Sequence, residues 1–367
     1  MKLVLLYNSI EVWGIYMYQY THGGNAIFEK DGRNILDLSA NINPLGFPEN
    51  VEMAIRKEIE FSNRYPDNYS KKLRESIAAY ETVNSEWIFC GNGASDIIFR
   101  LPICVKPKNV LLLAPTFSDY ERSASSFGAD VKYHVLEESK GFALDGEITA
   151  SICKNKIDLV YICNPNNPTG VLTERSVIEK LLACCKEMNA YIVVDECFID
   201  FTEQAKSYTC KPLLSQYDNL IILKAFTKIF ALPGIRLGYA MCSNRDIIER
   251  LYFNGADWTV SNIAQAAGIA SLENASEYIR ETVKYVTRER EYIKSELEVL
   301  GYKLYDSRAN YVFFKSDKGF DLAKNLNEHG IRIRHCDNFR GLSAEYYRVG
   351  ISKSQYNREL IKKIREI

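Results

Sequence analysis

Apolar residues recur along this chain in two rhythms. Short unbroken runs at Val110 to Ala114, Leu159 to Cys163, Tyr191 to Val194 and Leu220 to Leu223 have the length of strands buried on both faces. Arg236 to Cys242 reads as a fifth strand, and Trp87 to Cys90 leads into a turn as another. Between these runs the apolar spacing is helical. One such set is Val51, Ala54, Ile55 and Ile59; a second is Leu73, Ile77 and Tyr80. A third, behind Thr173 as its cap, is Val177, Ile178, Leu181, Leu182 and Cys185. Buried strands alternating with helices predict a mostly parallel sheet covered on both faces. Polar residues gather just past the strand C-termini, the edge where open α/β sheets bind ligands.

The ends of the chain read differently. From Ser276 a charged amphipathic helix runs to about Leu300. A smaller α+β unit follows, with strands at Tyr311 to Lys315 and Tyr347 to Ile351 and a helix at Leu322 to Glu328. Residues 22–47 are rich in turns, with one short strand at Ile35 to Leu38. The expected division is an N-terminal extension at 1–16, an arm at 17–47, a large domain at 48–275, and a linking helix with a small domain at 276–367. Met17, five residues before His22, is a candidate start.

Composition narrows the function classes. The 367 residues are 47% hydrophobic and 25% charged, with net charge −1, so no global charge favours nucleic acid or an anionic membrane. No apolar run reaches the roughly 20 residues of a membrane helix. The ten cysteines form no C-x-x-C pair and read as reduced thiols of a cytoplasmic protein. With four histidines and no ligand-spaced cluster, no metal site is expected.

Candidate chemistry lies at the strand ends. Gly91-Asn92-Gly93-Ala94-Ser95-Asp96 joins a strand to a helix, a geometry that aims backbone N–H groups at a phosphate. Lys228 lies just past another strand end, and Arg236 follows a Pro233-Gly234 turn. A desolvated lysine is suited to Schiff-base chemistry, and an arginine fork suits a phosphate. Together they suggest pyridoxal 5′-phosphate. Taken singly, each has a plainer reading, as solvated charges or a structural turn.

In order, the strand ends present Gly91-Asn92-Gly93, Phe117, Asn164-Pro165-Asn166-Asn167-Pro168-Thr169-Gly170, Asp195-Glu196-Cys197-Phe198 and Thr227-Lys228 through Pro233-Gly234 to Arg236. This series resembles the fold-type I pyridoxal-phosphate enzymes, the aspartate aminotransferase superfamily, over nearly the whole chain from His22. The resemblance implies a large domain with a mostly parallel seven-stranded sheet between helices, plus a small α+β domain. It makes Lys228 the Schiff-base lysine and the acid/base over the substrate Cα. It pairs Asp195 with the ring nitrogen, bonds Asn167 to the ring 3′-oxygen and stacks Phe117 on the ring. Gly93, Ala94 and Arg236 would hold the cofactor phosphate with Thr227 nearby. Tyr65 would reach that phosphate from the other subunit of a homodimer. Arg348 would take the substrate α-carboxylate. Two departures stand out: Ala225 where the family often has serine, and Phe198 where its aminotransferases usually have tyrosine.

The N-terminal segment is the best guide to the reaction. His22-Gly23-Gly24-Asn25 and Leu38 to Gly46, with Arg308-Ala309-Asn310-Tyr311 and Ile333-Arg334-His335-Cys336, resemble the threonine-phosphate decarboxylases of cobalamin biosynthesis. That resemblance places His22, Asn41 and Arg334 around a substrate phosphate and implies a small phosphorylated amino acid as substrate. The similar histidinol-phosphate aminotransferases are the alternative. A non-catalytic regulator that senses the cofactor is a remote one, because no basic DNA-binding segment precedes His22.

Overall fold

A computed structural model describes residues 22–24 and 35–367. The expected extension at 1–16, the candidate start at Met17, and Asn25 lie outside the described residues.

The apolar runs form one seven-stranded sheet: β1 (Ile88–Gly91), β2 (Asn109–Ala114), β3 (Asp130–Val135), β4 (Leu159–Cys163), β5 (Tyr191–Asp195), β6 (Leu220–Ala225) and β7 (Gly238–Met241). Their order across the sheet is β1-β7-β6-β5-β4-β2-β3. Only β7 runs against its neighbours. Alternate residues of each strand point into separate cores. Leu111, Val160, Ile192 and Ile222 pack on one face, and Leu112, Tyr161, Val193 and Ile221 on the other. This is why the runs are apolar throughout.

Two local expectations are corrected, and one strand, β3, was not among those expected. The fifth strand begins at Gly238, because Arg236 has a left-handed φ of 58° that turns the chain before pairing starts. Thr173 does not cap a helix: Arg175–Glu187 begins after Glu174. The Asn164 side chain instead receives the Thr173 N–H at 2.9 Å and donates to its C=O at 3.0 Å. The edge strand β3, half-exposed and paired only with β2, lacks the buried run that reveals the others.

The long helix Ala275–Val299 leads to a four-stranded antiparallel sheet. Its strands are β8 (Lys303–Leu304), β9 (Tyr311–Lys315), β10 (Arg334–His335) and β11 (Tyr346–Gly350), ordered β10-β11-β9-β8. Asp321 caps the helix Leu322–Glu328 by accepting the Lys324 N–H at 3.0 Å.

One segment ties the two sheets together. Leu36–Asp37 pairs in parallel with Ile331–Arg332, and the Gly350 N–H donates to Leu38 O at 2.7 Å. Farther on, the Asn43 N–H donates to Lys228 O at 3.3 Å and its amide to Ile229 O at 2.7 Å. A Cβ on Gly350 would stand 2.5 Å from Ala40 O, so glycine is what lets this strap lie flat on β11. Among the described residues no helix is long and apolar enough to cross a membrane.

Candidate active site

Strand register brings the chemistry together. Cys163, Asp195 and Leu223 are successive partners across β4, β5 and β6. Gly91 and Ala225 both pair with Gly238. The ends of five parallel strands therefore open on one edge, over a cavity of about 1070 Å³. Its walls include Ala94, Phe117, Asn167, Asp195, Thr227, Lys228 and Arg236, and also His22, Asn41, Arg334 and Arg348.

At one end is an anion cradle. The helix Gly93–Val105 starts directly after β1, so its first N–H groups have no intrahelical acceptor. A Cβ on Gly93 would lie 2.7 Å from Arg236 Nη2, and one on Gly238 would lie 2.6 Å from Ala94 N. Two glycines thus allow the guanidinium and the helix start to converge. Thr227 lines the same end, and Ala225 offers only a methyl group.

Lys228 lies in the short turn Phe226–Ile229 that follows β6. Among the described residues, no carboxylate lies within 4.0 Å of its Nζ. Burial first, then the Arg348 and Arg236 cations, lower the amine to about 8, against opposing pulls from Cys197 and Asp195. Nζ sits 5.7 Å from the centroid of Phe198, which packs edge-on against Tyr311. Asp195, at the end of β5, accepts the Cys197 N–H at 2.9 Å and the Tyr120 hydroxyl at 2.6 Å.

The other end is cationic. Arg348 is buried, donates to Asn167 Oδ1 and to Ser39 O, and has no carboxylate within 4.0 Å among the described residues. Its Nε and the buried Asn41 Oδ1 meet no partner among the described residues. Arg334 is its register partner across β10 and β11. Arg334 donates to Asn338 Oδ1 at 2.5 Å. His22 bonds Asp119 at 3.2 Å, and its ring lies 5.3 Å from that of Phe117. Gly23 is required there, because a Cβ would stand 2.4 Å from Ser39 O.

Two predicted residues do not line the cavity, Gly93 and Tyr65. Gly93 is buried at the start of the cradle helix beside Arg236, whereas Tyr65 is 80% exposed, its ring 4.5 Å from that of Trp258 and tilted by 30°. Sequence reasoning missed Tyr120 and Cys197, whose links to Asp195 no motif signals.

An amine, a carboxylate, an aromatic face and an anion cradle in one cavity fit a cofactor with a carbonyl, a basic ring nitrogen and a phosphate. Pyridoxal 5′-phosphate carries all three. The orphaned Arg348 Nε–H lies beyond that set and fits a second, anionic ligand.

Comparison with known proteins agrees with this geometry. Residues 33–364 match the family model for aminotransferase class I and II. The chain is 30% identical to a threonine-phosphate decarboxylase of Salmonella typhimurium over 358 residues, 96% of this chain and 97% of that one. It is 37% identical to a putative threonine-phosphate decarboxylase of Caldanaerobacter subterraneus subsp. tengcongensis, covering 95% and 94%. It also resembles the crystal structure of the histidinol-phosphate aminotransferase from Clostridium acetobutylicum. There the TM-score is 0.84 at 31% identity, covering 90% of this chain and 98% of that one.

Proposed function

Because the chain belongs to the aminotransferase class I and II family, whose cofactor is pyridoxal 5′-phosphate, we propose that it is a carboxy-lyase acting on L-threonine O-3-phosphate. The product would be (R)-1-amino-2-propanol O-2-phosphate, for cobalamin synthesis. The observation that carries this reading is the register pair Arg334 and Arg348 in one cavity. Two guanidinium groups on adjacent strands of one cavity offer separate forks to a substrate that carries both a carboxylate and a phosphate. Two relatives at 30% and 37% identity carry the decarboxylase name.

When bound, the cofactor withdraws electrons from the substrate Cα through its protonated ring. The residues would divide the work as follows. Gly93, Ala94, Thr227 and Arg236 hold the cofactor phosphate, and Phe117 and Asn167 hold the ring. Tyr65 of a second copy would complete the phosphate site in a homodimer. Asp195 keeps the ring nitrogen protonated by its negative charge. Arg348 binds the α-carboxylate as a fork, and His22, Asn41 and Arg334 receive the substrate phosphate. Lys228 would deliver to the substrate Cα the proton that replaces the carboxylate lost as carbon dioxide. Phe198 has no hydroxyl to donate into the site.

Mass spectrometry of the products tests this. Holoenzyme with threonine phosphate should yield the amino-alcohol phosphate and carbon dioxide. A 2-oxo acid with pyridoxamine phosphate would overturn the reading. The second reading, a histidinol-phosphate aminotransferase, is favoured by the 0.84 TM-score to such an enzyme, and turnover of histidinol phosphate with 2-oxoglutarate would identify it.

A further inference from the structure

Tyr120 is fully buried in the helix Ser118–Phe127, three residues after Phe117. Its hydroxyl donates to Asp195 Oδ2 at 2.6 Å, across 75 residues of sequence. Its ring is clamped on two sides. It stacks on Tyr161 of β4 at 4.9 Å and 13°, and meets the edge of Phe117 at 5.6 Å and 81°. The titratable groups around this contact are Tyr161 and Cys163 on β4, Cys197 after β5, Lys228 after β6 and Tyr311 on β9. A phenol held in this way has one orientation available for its O–H.

We infer that Tyr120 is a positioning residue that fixes the Asp195 carboxylate as an ionised partner for the ring nitrogen of the cofactor. The inference rests on reading this cavity as a pyridoxal-phosphate site. With Oδ2 held by Tyr120 and Oδ1 by the Cys197 N–H, the carboxylate cannot rotate about its Cβ–Cγ bond. The lone pairs left over on its two oxygens are those available to the ring. Burial pushes the phenol well above its ordinary range, so it remains a donor at every working pH. Phe117 and Tyr120 stand on one short segment, which sets the stacking ring and the charged partner in a fixed relation.

The control is close at hand. Tyr161 is equally buried in the same stack, and its hydroxyl makes no hydrogen bond to Asp195. Apoenzymes of the wild type, Tyr120→Phe and Tyr161→Phe are titrated with pyridoxal 5′-phosphate, followed by near-visible absorbance and circular dichroism. Tyr120→Phe should weaken uptake about ten-fold, the scale of one bond to a charged group, and Tyr161→Phe should leave it unchanged. The pH midpoint of the bound cofactor's visible band should rise by about one unit in Tyr120→Phe alone, since a ring that loses its proton lets the nitrogen of Lys228 keep its own to higher pH. If Tyr120→Phe does not fold, 3,5-difluorotyrosine placed site-specifically at position 120 keeps the shape and strengthens the donor, and the midpoint should fall instead. If the wild type takes up no cofactor, the reading of the site fails and this inference with it. If the wild type binds but the two phenylalanine variants behave alike, or the fluorinated residue leaves the midpoint unmoved, the inference alone fails.

Discussion

Lys228 shows how a residue's setting becomes its reactivity. An exposed lysine is protonated at neutral pH and is a poor nucleophile. Here burial and two arginines lower the amine to about 8. The neutral form grows as pH rises through that value, so cofactor uptake by the apoenzyme should accelerate up to about pH 8 and then level off. Stopped-flow absorbance checks this, and a rate that is flat across about pH 7–9 would contradict it. Lys228 was legible in the sequence because its strand, its turn and Arg236 are neighbours along the chain. Tyr120 was not legible, because its partner is 75 residues away and nothing in a tyrosine announces a carboxylate. The same holds for Arg334 beside Arg348. Family resemblance singled out each of them, but only strand register shows them facing one another.

Among the elements, β6 and β7 owe their placement to charges that the sequence does not reveal. Lys224 on β6 and Lys211 each donate to the buried Glu81 at 3.0 Å, and Tyr239 on β7 donates at 2.6 Å. This cluster ties the helix Lys71–Glu81 to the two strands that flank the lysine turn. Although burial raises the Glu81 carboxyl, Lys224 and then Lys211 draw it down to about 2. Its folded pKa lies below the unfolded value of 4.5, so this stabilisation is present above about 4.5 and declines as pH falls toward about 2. Glu81→Gln leaves the buried Lys224 ammonium with Asp200 as its remaining carboxylate and should cost about 3 kcal/mol in urea unfolding at neutral pH. It should also flatten the acid limb of the stability curve. A loss below about 1 kcal/mol would show that the cluster contributes little. Strands buried on both faces were legible from their apolar runs. The half-exposed β3 was not, because an edge strand need not be apolar.

For the molecule as a whole, the alternation of strands and helices was enough to predict the sheet, whereas the joining of the two sheets was not. The strap from Leu36 to Asn43 alternates apolar and polar residues, which announces an extended segment but not its partners, and it touches β11, the Arg348 side chain and the lysine turn. Gly350→Ala would press a methyl group onto Ala40 O and lift the strap. Because the strap carries Asn41 and the Ser39 carbonyl but none of the cofactor cradle, substrate KM should rise about ten-fold while cofactor affinity stays within about two-fold. Equal losses in both would contradict this division. The strap also has a bearing on how the protein is made. Its residues leave the ribosome roughly 300 residues ahead of its partners at 331–350, about 15 to 60 s at ordinary elongation speeds. For that interval the segment has no strand to join. The anion cradle and Lys228, all within residues 91–236, are made before Arg334 and Arg348 emerge. A product of premature termination would therefore hold the cradle without the paired guanidinium groups at the other end of the cavity.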